Sequence, residues 1–233
     1  MEKLSKQIKE GTKKSHTMAE NTGFITCFLK GVVEKKSYVR LMSDLYYVYS
    51  AMEEEIARHK NDVIVSKIYY QELFRKESIE QDLRYYLGDD WKSKLTQTNS
   101  CKEYVARIRE VSNFSPMLLI SHHYTRYIGD LSGGQVLKGI AQTALGVDDS
   151  GMNFYIFKDI PNEKEFKNNY RNALDSLLLT QSQKDIIVVE ANNAFKYNMK
   201  VFNEIEGNLI STIGKVLFST LTRRQRKGST ENG

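Results

Sequence analysis

The chain has 233 residues, of which 40% are hydrophobic and 27% charged, and this balance predicts one globular domain with a sizeable core. It has no apolar run of about 18 residues and no opening signal peptide, so we expect a soluble, intracellular protein without a membrane anchor. The net charge is +5, but acidic runs such as Glu53 to Glu55 are interspersed and no nucleic-acid motif is present. We therefore expect no nucleic-acid partner, and an anionic small ligand or an acidic protein instead.

Prolines and cysteines are few in this sequence. Pro116 and Pro161 are the only prolines, and alternating apolar runs bounded by turn residues are scarce, so we predict an all-α fold. Cys27 and Cys101 lie far apart and fit no metal-binding spacing, which indicates buried or inert thiols in a reducing compartment.

The first predicted helix runs from Glu2 to about Ala19. Its inward stripe consists of Leu4, Ile8, Thr12, Ser15 and Ala19, and a second stripe consists of Lys9, Lys13, His16 and Glu20. A lone histidine on such a helix is typically a surface or hydrogen-bonded structural residue. The two lysines before it support a different interpretation, in which His16 binds a metal and the ammonium groups bind carboxylates of the same ligand. Glu20 would then fix the imidazole tautomer.

The next segment contains four predicted helices, at about 24–29, 37–59, 78–86 and 100–111. Two of them begin at capping boxes, formed by Ser78 with Gln81 and by Ser100 with Glu103.

The longest predicted helix begins at Ser115 and Pro116, an N-cap followed by a first-turn proline, and ends near Gly146. His122 and His123 lie within it. Adjacent helical residues point about 100° apart, so the two imidazoles cannot face one ligand, and we interpret both as structural.

The segment from Tyr124 to Gln142 combines helical apolar spacing with four glycines, at 129, 133, 134 and 139. Each glycine destabilises a helix interior by about 1 kcal/mol relative to alanine. Gly129 and Gly133 share one face, and Arg126 lies within ion-pair reach of Asp130. A small-residue seam against another helix is one interpretation. The polar residues among the glycines favour the other, a flat ligand lying across the helix.

The C-terminal part holds two capped helices. Asn162 with Glu165 begins a helix that carries Lys167 and Arg171, which we interpret as a solvated pair unless it converges with Lys9 and Lys13. Thr180 with Gln183 begins a long helix, and the residues along one side of it are Phe195, Asn198, Met199 and Phe202.

A final apolar helix is predicted after Gly207, ending at Leu221. Residues 1–221 would then form one domain, and 222–233 a basic and polar tail that we expect to be disordered.

Two segments resemble the signature segments of the haem oxygenases: KEGTKKSHTMAEN, from Lys9 to Asn21, and YTRYIGDLSGGQVLK, from Tyr124 to Lys138. Similarity continues through LYYVYSAMEEEI, FKNNYR and NAFKYNMKVFNEIEGN, so the resemblance spans nearly the whole chain. It is strongest to the soluble forms of cyanobacteria and algal plastids, which implies a cyanobacterial cytoplasm or a plastid stroma as the compartment.

The resemblance implies a single all-α domain with haem b between an N-terminal proximal helix and a kinked distal helix. His16 would be the axial iron ligand, and Gly129 and Gly133 would lie over the distal face. The propionates would be held by Lys9, Lys13, Tyr124, Lys167 and Arg171. Asp130 would order a water network with Thr125, Arg126, Tyr49 and Asn198. Phe195 and Phe202 would help to wall the pocket.

The implied reaction is cleavage of haem by O2 to biliverdin, of the IXα type by resemblance, with CO and ferrous iron. It would supply bilin chromophore synthesis, with possible transfer to a bilin reductase. No flavin or nicotinamide site is evident in the chain, since GDLSGG follows a helix and not a strand. The resemblance implies ferredoxin, an acidic protein, as the electron donor. Lys3, Lys6, Lys13 and Lys14 could steer it, or could simply keep the surface solvated.

Two other functions are compatible with a helical fold. A haem-storage protein would keep His16 and the lysines but would not need Asp130. A helical hydrolase of the thiamin-degrading kind would need a nucleophile facing the cleft, and neither cysteine lies in a signature segment.

Overall fold

The computed structural model describes residues 2–222, and after Glu206 it describes chiefly the backbone. Every regular element within this range is helical, which confirms the predicted all-α class. The α-helices are α1 (Leu4–Glu20), α2 (Gly23–Leu29), α3 (Lys35–Arg58), α4 (Lys76–Leu87), α5 (Trp91–Lys94), α6 (Asn99–Phe114), α7 (Leu119–His123), α8 (Gly129–Leu145), α9 (Glu163–Asp175), α10 (Gln181–Ile213) and α11 (Lys215–Thr222).

The long helix predicted from Pro116 to Gly146 is not one regular helix. It begins as a 3-10 turn, Pro116–Leu118, continues as α7, and passes through a π-helical segment, Tyr124–Ile128, into α8. A π turn accommodates one extra residue in the helix. It therefore changes which side chains face inward just before Gly129, where the resemblance predicts a kink. The longest described helix is instead α10.

The predicted capping box at Ser78 is wrong, because α4 begins two residues earlier, at Lys76. The Glu53 carboxylate of α3 accepts hydrogen bonds from the backbone N–H groups of Arg75, at 2.6 Å, and Lys76, at 3.0 Å. A distant acid therefore satisfies the free amides at this helix end, and local capping is not required.

The capping box at Ser100 is also wrong. Thr98 is the N-cap of α6, and its hydroxyl accepts a hydrogen bond from Cys101 N–H at 3.0 Å. The Glu204 carboxylate of α10 accepts bonds from the amides of Asn99 and Ser100. The caps predicted for α9 and α10 are confirmed: the Asn162 side chain binds the amide of Glu165, and Thr180 forms a complete capping box with Gln183.

Helix α10 is the central support of the fold. It packs against α1, α2, α3, α6 and α7. It also continues through Gly207 to Ile213, which corrects the predicted helix break at that glycine. Gly214, at φ 82°, ends it, and α11 follows. The predicted tail, 222–233, lies outside the described residues apart from Thr222, the last residue of α11.

The two adjacent histidines are buried and hydrogen-bonded, as the sequence predicts. His122 Nε2 lies 3.0 Å from Glu190 Oε1 on α10, and His123 Nδ1 lies 2.8 Å from the Tyr170 hydroxyl on α9. They point to different helices, so each links the segment before α8 to a separate neighbour. No helix of the described residues is long and apolar enough to span a membrane.

Candidate active site

The start of α8 presents a bare backbone face. A Cβ atom added at Gly129 or at Gly133 would meet no other heavy atom within 4 Å. A seam against another helix would fill that space, so the helix-packing interpretation of this pair is wrong. The space suits a ligand that lies against the backbone.

Asp130 lies beside this face but points into the protein. Its Oδ2 atom accepts a hydrogen bond from the Tyr49 hydroxyl on α3. Its Oδ1 atom lies 3.1 Å from Arg126 Nη2, which forms the ion pair predicted from the sequence. Both side chains of this pair are mostly buried, at 11% and 13% exposure.

Arg126 is the centre of the cluster. Besides Asp130, its guanidinium donates to the Tyr49 hydroxyl at 3.1 Å and to Asn198 Oδ1 at 3.0 Å. Asn198 is held in turn by donating to the Ala194 carbonyl at 2.8 Å. Four of the five residues predicted to share a distal network are therefore in direct contact, and they come from α3, the π segment, α8 and α10.

Burial raises the pKa of Asp130 well above its usual range, because a carboxylate loses hydration there. Burial likewise lowers the pKa of Arg126. The contact between the two groups opposes both shifts. Both oxygens of Asp130 accept hydrogen bonds, which favours the ionised carboxylate against the cost of burial.

Thr125 differs from the other four residues. Its side chain is buried, and its hydroxyl has no hydrogen-bond partner among the described residues. It lies in the same π segment but makes no direct bond to Asp130 or Arg126. Its membership of the network remains a prediction.

His16 is an accessible imidazole on α1. Its side chain is 57% exposed, and its Nδ1 lies 3.6 Å from Glu20 Oε2 one turn later. The edge of the imidazole meets the Phe195 ring of α10, with 5.8 Å between ring centres. Phe202, two turns further along α10, stacks on Phe24. Phe195 and Phe202 are seven residues apart and therefore lie on one side of α10, as predicted.

Three of the predicted anion-binding residues lie where α9 meets the distal segment. The Arg171 guanidinium partly offsets the rise in the pKa of Tyr124 that burial causes, and Lys167 Nζ lies 3.5 Å from the Ser132 hydroxyl of α8. Ser132 was not among the predicted site residues, although its position between Gly129 and Gly133 in the sequence could have indicated it.

The remaining two cations, Lys9 and Lys13, are exposed on α1. Helix α1 is attached to α9 at Ser5, whose amide and hydroxyl both donate to the Asp175 carboxylate at 2.9 Å. Lys9 is one turn from Ser5, and Arg171 is one turn from Asp175. Lys9 and Arg171 therefore each lie one turn from the contact between α1 and α9.

The residues described above can accommodate haem. An accessible imidazole can bind iron, and a glycine face with open space above its backbone can accept a flat macrocycle. Basic groups from two helices can bind its carboxylates. A buried polar cluster stands directly behind the glycine face.

Known proteins support the same conclusion. The family model described as "Heme oxygenase" matches residues 2–204. "Heme oxygenase 1" from Synechocystis is 56% identical over 99% of this chain and 96% of its own length. "Heme oxygenase" from the red alga Rhodella violacea is 50% identical over 97% of this chain and 96% of its own.

Solved structures agree with the sequence relatives. Synechocystis heme oxygenase-1 in complex with heme has a TM-score of 0.90 and 55% identity, and the match covers 94% of this chain and 100% of that one. Synechocystis heme oxygenase-2 with heme and NO has a TM-score of 0.96 and 42% identity, covering 99% and 96%. The chain, with its glycine face and its accessible histidine, belongs to the haem oxygenase family.

Proposed function

We propose that this haem oxygenase binds haem b through His16 and converts it, with O2 and external electrons, to biliverdin, CO and ferrous iron. The observation that carries the proposal is the hydrogen-bonded cluster of Asp130, Arg126, Tyr49 and Asn198 behind the bare face of Gly129 and Gly133. A storage protein would have no use for a buried, protonatable carboxyl group at that position. The cluster therefore supports an oxygenase over the storage alternative.

Bound haem supplies the iron that activates O2. The protein supplies the remaining functions. His16 binds the iron from α1, and the group comprising Lys9, Lys13, Tyr124, Lys167 and Arg171 neutralises and orients the propionates. Phe195 and Phe202 form part of the apolar wall of the haem pocket.

Asp130 orients a proton-donating water on the distal side. Its carboxyl group is fixed by Tyr49 and Arg126, so it can orient a water molecule without reaching the iron. General acids placed in this way typically accelerate a reaction by about 10²–10⁴-fold. We retain Thr125 in the proposed water network, because its buried hydroxyl has unused hydrogen-bonding capacity.

The electron donor is proposed to be ferredoxin, an acidic protein. Helix α1 bears three more exposed lysines, Lys3, Lys6 and Lys14, on one side of the haem-binding stripe, and these would attract an acidic surface. Two of them already have acidic neighbours: Lys6 Nζ lies 3.0 Å from Glu2, and Lys3 Nζ lies 3.9 Å from Asp175. Lys14, two residues before His16, is therefore the best single position for a test.

The proposed product is biliverdin IXα, which would supply bilin and phycobilin synthesis through a bilin reductase. The cited relatives come from a cyanobacterium and a red alga, which supports a photosynthetic setting in a cyanobacterial cytoplasm or a plastid stroma.

Replacement of the axial ligand tests the iron assignment. His16→Ala should retain part of its haem affinity, because the propionate and apolar contacts remain, but should lose the iron–histidine Raman band and turnover. Free imidazole should restore part of the activity. His59→Ala is the matched control and should keep the band. A wild-type iron–histidine band in His16→Ala would show that another residue binds the iron.

Replacement of the distal acid tests the proton pathway. Asp130→Asn keeps the shape of the side chain but loses its charge and changes its hydrogen bonds, so the proton-donating water is no longer held and biliverdin formation should fall by about 10²-fold or more. Haem affinity, from Soret titration, should change only a few-fold. Asp130→Ala should behave similarly, with additional loss of stability because it leaves Arg126 buried without its partner. Normal biliverdin yield in both variants would exclude Asp130 from the reaction.

Alanine at Gly133 should separate stability from function. The structure leaves room for the added Cβ, so Gly133→Ala should stabilise the haem-free protein against urea by about 0.5–1 kcal/mol. The same methyl group should obstruct the ligand face and weaken haem binding. Gly139→Ala, on the same helix and equally unobstructed, should give the stability gain alone. Equal haem affinity in the two variants would mean that the ligand does not lie against Gly133.

Salt and charge reversal test the donor surface. Ferredoxin-driven turnover should fall steeply between 0.1 M and 1 M salt, where the screening length drops from about 10 Å to about 3 Å, while ascorbate-driven turnover should hardly change. Lys14→Glu should raise the ferredoxin concentration for half-maximal rate without altering haem affinity. Lys102→Glu, on α6, is the control and should have no effect. If Lys14→Glu matches this control, ferredoxin docks elsewhere.

A further inference from the structure

Helix α10 contacts α1 through one stripe of residues beside the proposed iron ligand. Val188, Asn192 and Phe195 are spaced i, i+4 and i+7, so they lie on one face of α10. They meet Gly11, Ser15 and His16 on α1. Asn192 is not among the predicted site residues and has no part in the proposed reaction.

The two helices approach closely where Gly11 of α1 faces Val188 of α10. A Cβ atom at Gly11 would collide with Cγ1 of Val188. The absence of a side chain at Gly11 therefore brings the backbone of α1 within reach of short polar groups on α10.

Asn192 uses this proximity to bind α1 at two points. Its Oδ1 atom accepts a hydrogen bond from the Ser15 hydroxyl at 2.5 Å. Its Nδ2 atom donates to the Gly11 carbonyl at 3.0 Å and to the Val188 carbonyl of its own helix at 2.9 Å. The side chain is thus held by its own helix while it binds successive turns of the other, just before His16.

The His16 side chain has few other restraints. It is more than half exposed, and its ring contacts are the edge of Phe195 and the carboxylate of Glu20, itself exposed on α1. The direction of the imidazole therefore depends on the rotation of α1 about its axis. The imidazole tip lies roughly 8 Å from that axis, so a 10° rotation moves it by about 1.4 Å, enough to alter an iron–nitrogen bond.

We infer that Asn192 is a positioning residue for the iron ligand: its bonds to Gly11 and Ser15 fix the rotation of α1 and so aim the His16 imidazole. The inference rests on the proposed role of His16 as the axial ligand. Asn192 itself need not touch haem.

The experiment compares three variants as ferrous and ferric haem complexes. Asn192→Leu removes every hydrogen bond of the side chain while keeping its branching and number of heavy atoms, and Ser15→Ala removes only the bond at Oδ1. Gln7→Ala is the matched control, since Gln7 and Gln181 hydrogen-bond the same two helices about 13 Å from His16 along α1. The readouts are the iron–histidine Raman frequency, the ferric electron paramagnetic resonance spectrum and the melting temperature of the haem-free protein.

We expect Asn192→Leu to shift or broaden the iron–histidine band and to increase haem dissociation several-fold. Ser15→Ala should do so to a smaller extent, and Gln7→Ala should leave the band unchanged. An unchanged band in Asn192→Leu, or an equal shift in Gln7→Ala, would overturn the inference even if the melting temperatures fall. If Asn192→Leu does not fold, Ser15→Ala decides in the same way. His16→Ala is measured in parallel, because retention of the band there would refute the ligand assignment and not the role of Asn192.

Discussion

The buried ion pair of Asp130 with Arg126 is the interaction on which the site depends. Removing two charges from water is costly unless their hydrogen-bonding capacity is satisfied. Here Tyr49 on α3 and Asn198 on α10 supply the additional contacts. The pair is therefore stable only when three parts of the fold are assembled around the π segment, and the assembled fold presents a carboxyl group beside an open backbone face.

The glycines of α8, in contrast to the contacts of this ion pair, destabilise the fold. Each one lowers the intrinsic stability of the helix, and nothing among the described residues fills the space above Gly129 or Gly133. Packing elsewhere on the helix compensates: Leu131 and Ala141 are buried in the core. The site is thus a locally unfavourable surface held in place by favourable contacts behind it, as expected where a protein must admit a ligand to its backbone.

Helix α10 connects the two sides of the site. It carries Asn198 in the distal cluster, Phe195 against His16, and Asn192 against the backbone of α1. These residues lie within two turns of each other. A change in the position of α10 would therefore alter the contacts of both Arg126 and His16.

The sequence by itself determined the helical class, the caps of α9 and α10, the ion pair of Arg126 with Asp130, and the family to which the chain belongs. These features depend on short spacings: a cap acts over three residues, and a helical ion pair acts over four. The glycines were recognisable because they destabilise a helix interior, and His16 because two lysines precede it on the same stripe of α1.

The tertiary structure decided everything that depends on partners distant in the chain. Glu53 and Glu204 replace the predicted caps at Ser78 and Ser100, because a carboxylate from another helix can satisfy the same free amides. Asn192 binds α1 across more than 170 residues of sequence. Such contacts follow from how helices pack and rotate, which no spacing within one helix specifies.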